Sequence, residues 1–211
     1  MSSNVNISMS VIKRLPRYYR FLGKLRDEGH LRISSGALSS MMGTTASQIR
    51  QDLNCFGGFG QQGYGYNVEQ LYNEIGKILG VDRMLDSILI GVGNLGRAIA
   101  SHMEFEKRGI ALLGIFDKNP SLAGTSIKQY KIYHADQLKE FCAEHHPKMA
   151  IVCTPTVSTE KVIDELVSYG ITGFWNYSHF DILSKYPNVN VQNVHLSDSL
   201  LTLGYQMKNN C

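Results

Sequence analysis

The segment Ile88-Leu89-Ile90-Gly91-Val92-Gly93-Asn94-Leu95-Gly96 decides the fold of this chain. Its first three residues are apolar, as in a strand that is buried on both faces, and the next six have the pattern G-x-G-x-x-G. A helix-compatible segment follows at 95–107, and Asp117 closes the next apolar run 21 residues after Gly96. A strand, a glycine-rich turn and a helix in this order predict the first βαβ unit of a Rossmann domain.

Each part of this pattern has a physical role in holding a dinucleotide. Gly91 allows the tight turn, Gly93 lets the backbone approach a pyrophosphate, and Gly96 lets the helix pack closely on the strand. The free N–H groups at the helix N-terminus favour phosphate. The Asp117 carboxylate accepts hydrogen bonds from ribose hydroxyls and repels a 2′-phosphate, which favours NAD(H), although the neighbouring Lys118 weakens that argument. The cofactor-binding residues predicted here are Gly91, Val92, Gly93, Asn94, Leu95, Gly96, Asp117 and Lys118.

Apolar runs and helix-compatible segments alternate from residue 82 to residue 194, which predicts an α/β fold with a doubly wound parallel sheet. After the glycine-rich segment, the strand-like runs are 111–116, 149–153 and 173–175, and the helical segments are 136–144 and 158–169. The carboxyl ends of such strands face the ligand crevice. The nicotinamide side is therefore predicted near Thr154, Pro155, Asn176 and Tyr177, with ordinary loop positions as the alternative.

The first third of the chain predicts a helix-turn-helix at about residues 17–56. A first helix begins near Pro16, a second is expected at Ser35–Met42, and a third begins near Thr45 after a turn that contains Gly43. Thr45 and Gln48 have the spacing of a capping box. The apolar positions that recur at helical spacing in this region and in the next helix are Leu15, Tyr19, Leu22, Leu25, Leu38, Met41, Met42, Ile49, Leu53, Phe56, Val68, Leu71, Ile75 and Ile78.

A glycine-rich stretch at 57–66 follows the third helix. It holds five glycines and cannot form a helix, so it predicts a hairpin or wing. Asn67 can cap a linking helix, and the composition changes near Val81. We therefore expect a winged-helix domain at 1–81, a Rossmann domain at 82–194, and a C-terminal helical segment at 195–211.

Charge is distributed unevenly along the chain. The net charge is +3, yet residues 1–67 contain eight basic and three acidic residues, which leaves the rest of the chain slightly acidic. A basic domain joined to a near-neutral one suggests a polyanion-binding module, and a structural three-helix domain with a basic surface is the alternative. The residues predicted to contact DNA are Arg14, Arg17, Ser47, Gln48, Arg50, Gln51 and Tyr64.

Several classes of function find no support in the sequence. The chain is 43% hydrophobic, without a signal-peptide pattern or a bilayer-spanning run, which predicts a cytoplasmic protein with no membrane partner. Its four cysteines form no C-x-x-C pair, so neither a disulfide framework nor a metal site is expected. No Y-x-x-x-K pair and no Ser/His/Asp or Cys/His arrangement is legible, so we predict no catalytic residues, no protein substrate and no enzyme activity.

The whole chain resembles one family, the bacterial redox-sensing transcriptional repressor Rex. The matching segments are Arg14-Leu15-Pro16-x-Tyr18-Tyr19-Arg20, Ser47-Gln48-Ile49-Arg50-x-Asp52-Leu53, Phe56-Gly57, Gly63-Tyr64-Gly65-Tyr66-Asn67-Val68, Ile90-Gly91-Val92-Gly93-Asn94-Leu95-Gly96 and Phe116-Asp117. A Gly-Tyr-Gly-Tyr-Asn-Val wing joined to this particular Rossmann loop is a highly specific combination.

The resemblance implies a homodimer of a winged-helix domain and a Rossmann domain. In this family a domain-swapped C-terminal helix packs against the partner subunit, and the amphipathic segment 197–207 matches it. The resemblance also implies binding to pseudo-palindromic operator DNA. NADH would close the dimer and pull the recognition helices out of register, and NAD+ would compete without doing so. A ligand can act in this way only through different affinities for the two states.

The sequence departs from the family pattern at several positions. Gln51 stands in place of a basic residue and Cys55 in place of a tyrosine, and Gln61 and Gln62 replace basic residues of the wing. His102 replaces a common tyrosine. The residue at position 195 is histidine where the family has an aspartate that helps couple the cofactor to the DNA-binding domain. We therefore assign a coupling role to His102 and His195, with neutral drift at these positions as the alternative.

Three functions therefore remain open at this stage. The first is an NADH-responsive repressor. The second is a Rex paralogue with weakened DNA binding or an altered, even pH-sensitive, NADH response, because cationic contacts set phosphate affinity and histidine titrates near neutral pH. The third is an NAD-dependent oxidoreductase, which the missing catalytic groups disfavour. A thiol redox role for Cys55 also stays open.

Overall fold

The computed structural model describes residues 7–57, 60–61 and 64–209 of the 211-residue chain. The chain divides into two compact units, Met1–Asp82 and Arg83–Cys211. The division falls where the composition changes from glycine-rich and basic to strand-like and apolar.

The described part of the first unit contains five α-helices and a small antiparallel sheet. The helices are α1 (Met9–Ile12), α2 (Leu15–Asp27), α3 (Ser35–Met42), α4 (Ala46–Asn54) and α5 (Val68–Leu79). The strands are β1 (Arg32–Ile33), β2 (Gly60–Gln61) and β3 (Gly65–Asn67), in the order β1-β3-β2. Strands β2 and β3 pair antiparallel, as expected for the hairpin of a wing, and Gln62 lies outside the described residues.

Capping side chains define the helix-turn-helix. Ser34 caps α3 by accepting the N–H of Ala37 at 3.0 Å, and Gly43 ends that helix in the left-handed conformation with φ 58°. Thr45 caps α4 by accepting the N–H of Gln48 at 3.1 Å. Only this half of the predicted capping box forms, because the Gln48 side chain bonds elsewhere, as described below. Helices α3 and α4 thus begin as the sequence predicts.

The helices of the first unit share one apolar core. Most of the predicted apolar positions are buried in it, including Leu22, Leu38 and Ile75. Tyr18 rather than Tyr19 fills the core from α2, because Tyr19 stacks on Tyr72 at the edge with ring centroids 4.2 Å apart. Met41 and Ile78 lie at the ends of the apolar stripes and are 37% and 36% exposed, so the prediction for these two is wrong.

The second unit is built on a seven-stranded sheet. Its strands are β4 (Leu85–Ile90), β5 (Ile110–Asp117), β6 (Ser126–Ile127), β7 (Tyr130–His134), β8 (Met149–Val152), β9 (Gly173–Asn176) and β10 (Asn190–Asn193). Their order is β10-β9-β8-β4-β5-β7-β6, and only the β6–β7 pair is antiparallel. Without β6, this is the doubly wound strand order. Strands β5 and β7 follow on one side of β4, and β8, β9 and β10 follow on its other side, so the strand order reverses between β4 and β8.

Helices cover both faces of this sheet. They are α6 (Asn94–His102), α7 (Leu138–His145), α8 (Thr156–Ser168) and α9 (Ile182–Lys185), and a further helix, α10 (Leu196–Asn209), follows β10. Ile88 and Ile90 of β4 point into one core with α7 and α8, whereas Leu89 points into the other with α6. Burial on both faces explains why the last three residues of β4, Ile88 to Ile90, are apolar without alternation.

Helix α6 is shorter than the sequence suggests. It ends at His102 instead of continuing to residue 107, and a short 3₁₀ turn follows at Glu106–Arg108 before Gly109, which has φ 70°. Strands β6, β7 and β10 and helix α9 are absent from the prediction because each is short and carries a mixed polar and apolar pattern.

Helix α10 buries none of its residues. Its apolar side chains are 52–71% exposed, and they are Leu196, Leu200, Leu201, Leu203, Tyr205 and Met207. Among the described residues, no helix combines the length and the apolar character needed to cross a membrane.

Candidate nucleotide-binding and DNA-binding sites

The sheet topology places the glycine-rich loop at the point where the strand order reverses. The N–H of Gly91 donates to the carbonyl of Phe116 at 2.8 Å, and the N–H of Cys153 donates to the carbonyl of Ile90 at 2.8 Å. The carboxyl ends of β4, β5 and β8 therefore lie side by side. This is the crevice in which open α/β sheets bind their ligands.

The three glycines of the loop differ in their surroundings. A Cβ at Gly91 would lie 2.8 Å from the carbonyl oxygen of Cys153, and this residue has φ 96°, which strains any other L-residue. A Cβ at Gly96 would overlap the carbonyl oxygen of Gly91, so α6 packs on the turn as the pattern requires. A Cβ at Gly93 would meet no atom within 4 Å. Gly93 therefore faces the open space that the close approach of a pyrophosphate needs.

The first turn of α6 faces the same space. Gly93 is its N-cap and gives no side-chain cap, and the helix begins at Asn94. Leu95 is partly buried against the core, and Val92 is only 5% exposed. Val92 and Leu95 thus hold the loop through their side chains, which leaves backbone N–H groups and Asn94 to meet a ligand.

Asp117 is fixed beside the loop. Its Oδ2 accepts the N–H of Val92 at 2.6 Å, and its Oδ1 accepts the N–H of Asn119 at 2.8 Å. The acidic residue and the glycine-rich turn, 21 residues apart from Gly96 to Asp117, are therefore in direct contact. Lys118 is exposed, and its carbonyl lies 3.1 Å from Nε2 of His134.

Thr154 lies next to the glycine turn. Its methyl carbon is 3.3 Å from the position that a Cβ on Gly91 would take, and its hydroxyl is 2.9 Å from that of the buried Thr159. Pro155 is exposed and precedes α8 as its N-cap. Cys153, which sequence reasoning left without a role, forms the floor between β4 and β8, and burial raises the pKa of its thiol to about 12.

Asn176 is committed to the protein. Its Nδ2 donates to the carbonyl of Phe180 at 3.0 Å and to Oδ1 of Asn193 at 2.8 Å, and its Oδ1 accepts from the N–H and the hydroxyl of Ser178. Both donors and both acceptor positions are therefore used, and the residue is fully buried. This arrangement favours a structural role for Asn176 over the predicted contact with the nicotinamide.

Tyr177 lines a cavity of about 200 Å³. The other lining residues are Leu95, His179, Val194, His195, Leu196 and Ser197. Burial, with a contribution from Cys153, raises the pKa of Tyr177 to about 12. The cavity connects the first turn of α6 to the start of α10.

The two histidines with a predicted coupling role lie in different settings. His102 is exposed at the C-terminus of α6. His195 lines the cavity, with its ring 5.1 Å from that of His179 and its Nδ1 3.7 Å from a carboxylate oxygen of Asp198. Within the described part of the chain, no hydrogen bond, ion pair or ring contact joins His102 to His195. His179 also lines this cavity, and apart from its residue type nothing in the sequence indicates that position.

Helix α4 presents a polar, solvent-exposed face. Ser47, Arg50 and Gln51 are exposed on it, and Nη1 of Arg50 donates to the hydroxyl of Ser35 at 3.1 Å. Cys55 follows the helix, and its Sγ donates to the carbonyl of Gln51 at 3.3 Å. These side chains project from the element that reads base edges in a helix-turn-helix.

A buried carboxylate lies behind this face. Asp52 is 0% exposed and accepts two hydrogen bonds from Arg14 (2.7 Å each), one from Tyr18 (2.9 Å) and one from Gln48 (2.8 Å). Burial alone would raise the pKa of Asp52, but the hydrogen bonds from Arg14, Gln48 and Tyr18 outweigh it and hold that pKa below its ordinary value. Arg14 therefore uses two of its nitrogens within the protein, and its predicted phosphate contact stays a prediction.

The other two residues with a predicted DNA contact are exposed. Arg17 lies on α2 with its guanidinium 5.8 Å from the ring centroid of Phe21. Tyr64 begins the return of the wing, is 69% exposed, and has its carbonyl 3.3 Å from Nη1 of Arg32. In the described ranges, no group of three or more His, Cys, Asp or Glu side chains is placed to hold a metal ion.

Two family models match the chain. One is described as "Putative DNA-binding protein N-terminus" and covers residues 6–54, and the other is described as "CoA binding domain" and covers residues 82–180. The first match lies within the first unit, and the second lies within the second unit except for its first residue, Asp82. With the geometry above, they define the class: a regulator in which a winged helix-turn-helix is joined to a nucleotide-binding Rossmann domain.

Full-length relatives give the family. Proteins named redox-sensing transcriptional repressor Rex from Clostridium botulinum (strain Alaska E43 / Type E3) and Clostridioides difficile (strain 630) are each 50% identical to this chain, covering 98% and 99% of both partners respectively. The one from Caldanaerobacter subterraneus subsp. tengcongensis is 52% identical over 98% of this chain and 92% of its own. The chain belongs to the Rex family of redox-sensing transcriptional repressors.

Solved structures agree with this assignment. The crystal structure of RSP in complex with beta-NAD+ and operator DNA is 50% identical, has a TM-score of 0.88, and covers 97% of this chain and 94% of that one. The structure of RSP in complex with beta-NADH is 46% identical, with a TM-score of 0.88 and coverage of 97% and 95%. The predicted fold class and family are therefore confirmed.

Proposed function

We propose that this chain binds operator DNA as a homodimer and releases it when NADH binds the Rossmann unit. The observation that carries the proposal is the assembled nucleotide site, in which Gly91, Gly93, Gly96 and Asp117 meet at the reversal point of the sheet. This site is joined in one chain to a winged helix-turn-helix. The relative RSP has been solved with NAD+ and operator DNA and with NADH, which supports the same pair of ligands here.

The Asp117 carboxylate favours NAD(H) over other adenine nucleotides. NADP carries a 2′-phosphate and coenzyme A a 3′-phosphate on the same ribose, and each would meet the negative charge of Asp117. The N–H groups of the first turn of α6 would bind the pyrophosphate. We place the ligand against Gly91, Val92, Gly93, Asn94, Leu95, Gly96, Asp117 and Lys118, with Thr154, Pro155 and Tyr177 towards the nicotinamide.

Helix α4 is proposed to enter the major groove. Ser47, Gln48 and Arg50 lie in its first two turns, where such helices contact base edges. Arg17 and Tyr64 are exposed and would contact the sugar–phosphate backbone. Gln51 takes a place on α4 where a cation would add a phosphate contact, so we expect a modest salt dependence of operator binding.

Helix α10 is proposed to pack against a second copy of the chain. Six apolar side chains on it are more than half exposed, and a monomer rarely leaves such a contiguous apolar surface in water. A dimer also fits DNA recognition, because paired helices read two half-sites one helical turn apart.

We propose that this chain acts as a sensor and not as an enzyme. The relatives with this architecture are named redox-sensing transcriptional repressors, and RSP has been solved with NAD+ and with NADH, so we propose NAD(H) as the signal here. We place its action in the cytoplasm, where the DNA and the cofactor pool are found.

Titration with dinucleotides tests the ligand assignment. Trp175 is the sole tryptophan and lies on β9, which is separated by β8 from β4 and its glycine turn, so bound NADH should quench the Trp175 emission. NADH and NAD+ are expected to bind, with NADPH and coenzyme A at least about tenfold weaker. Asp117→Ser should reduce the difference in affinity between NADH and NADPH. Equal affinity for NADH and NADPH in the unaltered protein would contradict the assignment of NAD(H) as the ligand.

A further inference from the structure

We propose that Asp52 is a positioning residue that holds the Gln48 side chain for reading an adenine in the operator; this rests on the proposed DNA binding by α4. Gln48 lies one turn before Asp52 on the same helix. Its Nε2 donates to Oδ1 of Asp52 at 2.8 Å. An ionised carboxylate is an acceptor only, so the nitrogen of the amide must face Asp52 and the oxygen must turn away from it.

The carboxylate that holds Gln48 is itself fixed. Arg14 donates from Nε to Oδ2 and from Nη2 to Oδ1, each at 2.7 Å, and the hydroxyl of Tyr18 donates to Oδ2 at 2.9 Å. Both partners come from the segment that starts α2, far away in sequence. Rotating the Asp52 side chain would break several of these bonds at once. The orientation of the Gln48 amide is therefore set by the core of the unit.

This arrangement is not the default for a glutamine at this position. Gln48 is the third residue of α4, where a glutamine can reach back to the N–H of the N-cap residue. Its backbone N–H does bond to Thr45, yet its side chain points to Asp52 instead. The contact with Asp52 thus replaces a capping contact that would have stabilised the helix start.

The hydrogen-bonding groups of Gln48 that do not bond to Asp52 match adenine. Gln48 keeps its Oε1 acceptor and one N–H donor, and its side chain is partly exposed. Adenine presents an N6 donor and an N7 acceptor in the major groove, and glutamine pairs with both at once. An amide already oriented loses less rotamer freedom on binding than a free one. Neighbouring Arg50 has the chemistry for guanine, so Gln48 is assigned the adenine.

Selection from a random pool tests the proposal. The full chain is mixed with DNA duplexes that have a randomised core, and the bound duplexes are sequenced. The unaltered protein should select adenine at two symmetry-related positions, and Gln48→Ala should lose that preference at least about fivefold, as for one bidentate contact. Asp52→Asn should lose the preference at the same positions and keep it at the others.

Tyr18→Phe is the matched control. It removes one hydrogen bond to Oδ2 of Asp52 but leaves the bond from Gln48 to Oδ1. It should lower stability and keep the adenine preference. The proposal is overturned if Asp52→Asn keeps the preference that Gln48→Ala loses, if Asp52→Asn weakens all positions equally, or if Gln48 controls a base other than adenine. An unaltered protein that selects no sequence overturns the proposed operator binding itself.

A second measurement needs no change at Asp52, whose replacement can unfold the unit. The side-chain amide of Gln48 should be as rigid as helix backbone in the free full chain, with an NMR order parameter near about 0.85. The exposed Gln51, one turn further on, should fall below about 0.6. Equal mobility of the two amides overturns the proposal.

Discussion

Gly93 and Gly96 have opposite surroundings, although both belong to the same nucleotide-binding pattern. The protein itself requires the absence of a side chain at Gly96, where a Cβ meets the carbonyl of Gly91. At Gly93 an added Cβ would meet no atom within 4 Å, so the fold does not require a glycine there. Folding therefore depends on one glycine, and ligand approach depends on the other.

Alanine substitutions separate these two roles. Gly96→Ala should lower stability by about 1–3 kcal/mol, as expected for overpacking, and should also weaken NADH binding. Gly93→Ala should keep the melting temperature of the unaltered protein and still weaken NADH binding, because the added methyl enters the space reserved for the pyrophosphate. Thermal unfolding and NADH titration of both variants measure this. Normal NADH affinity in Gly93→Ala would refute the placement of the phosphates.

The buried Asp52 makes the first unit sensitive to acid. The pKa of Asp52 is lower in the folded chain than the value of about 3.9 in an unfolded one. Its contribution to stability is therefore complete above that pH and is lost as the pH falls through the folded value. Hydrogen exchange of α2 and α4 should show Asp52→Asn less stable by about 3 kcal/mol at pH 7.

Comparing the unaltered protein with Asp52→Asn at low pH tests the direction of the pKa shift of Asp52. Once Asp52 is protonated in the unaltered protein, the two proteins should differ much less in the protection of α2 and α4. A difference that grows as the pH falls would contradict the assigned direction of the pKa shift.

At the scale of elements, helix α10 carries the proposed dimer contact. Leu196, Leu200, Leu203 and Met207 recur at helical spacing and are all exposed. Leu200→Glu places a charge in this stripe and should convert the dimer to a monomer, as read by light scattering. Gln206→Glu adds the same charge outside the stripe and should leave the dimer intact. A dimer of unchanged stability in Leu200→Glu would contradict the role of α10.

The exposed face of helix α4 is expected to lie near the phosphates of the operator. Gln51→Lys adds a cation on the exposed face of α4, so operator affinity should rise and the slope of log K against log salt should steepen by about one. Gln70→Lys adds the same charge on the exposed side of α5 and should have the smaller effect. Binding that is unchanged by Gln51→Lys would count against a phosphate near this position.

The sequence predicts the long and strongly patterned elements. Caps at Thr45 and Asn67 and the glycine turn at 91–96 act locally, so α4, α5 and the βαβ unit follow from neighbouring residues. Strands β6, β7 and β10 are stabilised by pairing with distant strands and have little pattern of their own. Local pattern alone therefore cannot reveal them.

The sites follow the same rule. The loop 91–96 and Asp117 have a fixed spacing along the chain and are found from it. The hydrogen bonds of Asp52 to Arg14 and Tyr18, and the four bonds that use up Asn176, depend on contacts across the fold. Local pattern therefore does not reveal the bonds around Asp52 and Asn176, and the ligand contact of Asn176 stays a prediction.

At the scale of the whole molecule, the proposed function requires that nucleotide binding and DNA binding are coupled. NADH lowers operator affinity only if it binds the released state more tightly than the DNA-bound state, and NAD+ must discriminate less between them. Coupling of this kind is typically about 1–3 kcal/mol, or about 5–150-fold in affinity. The sequence predicts a coupling role for His102 and His195, and the size of this coupling is the quantity that such a role would set.

The most direct test is operator affinity as a function of the ratio of NADH to NAD+. Fluorescence anisotropy of a labelled duplex, chosen by the selection above, gives Kd at fixed salt and fixed total dinucleotide. Kd should rise at least about fivefold as NADH replaces NAD+. A Kd that stays constant across all ratios, while NADH demonstrably binds, would contradict the claim that this chain is a redox sensor.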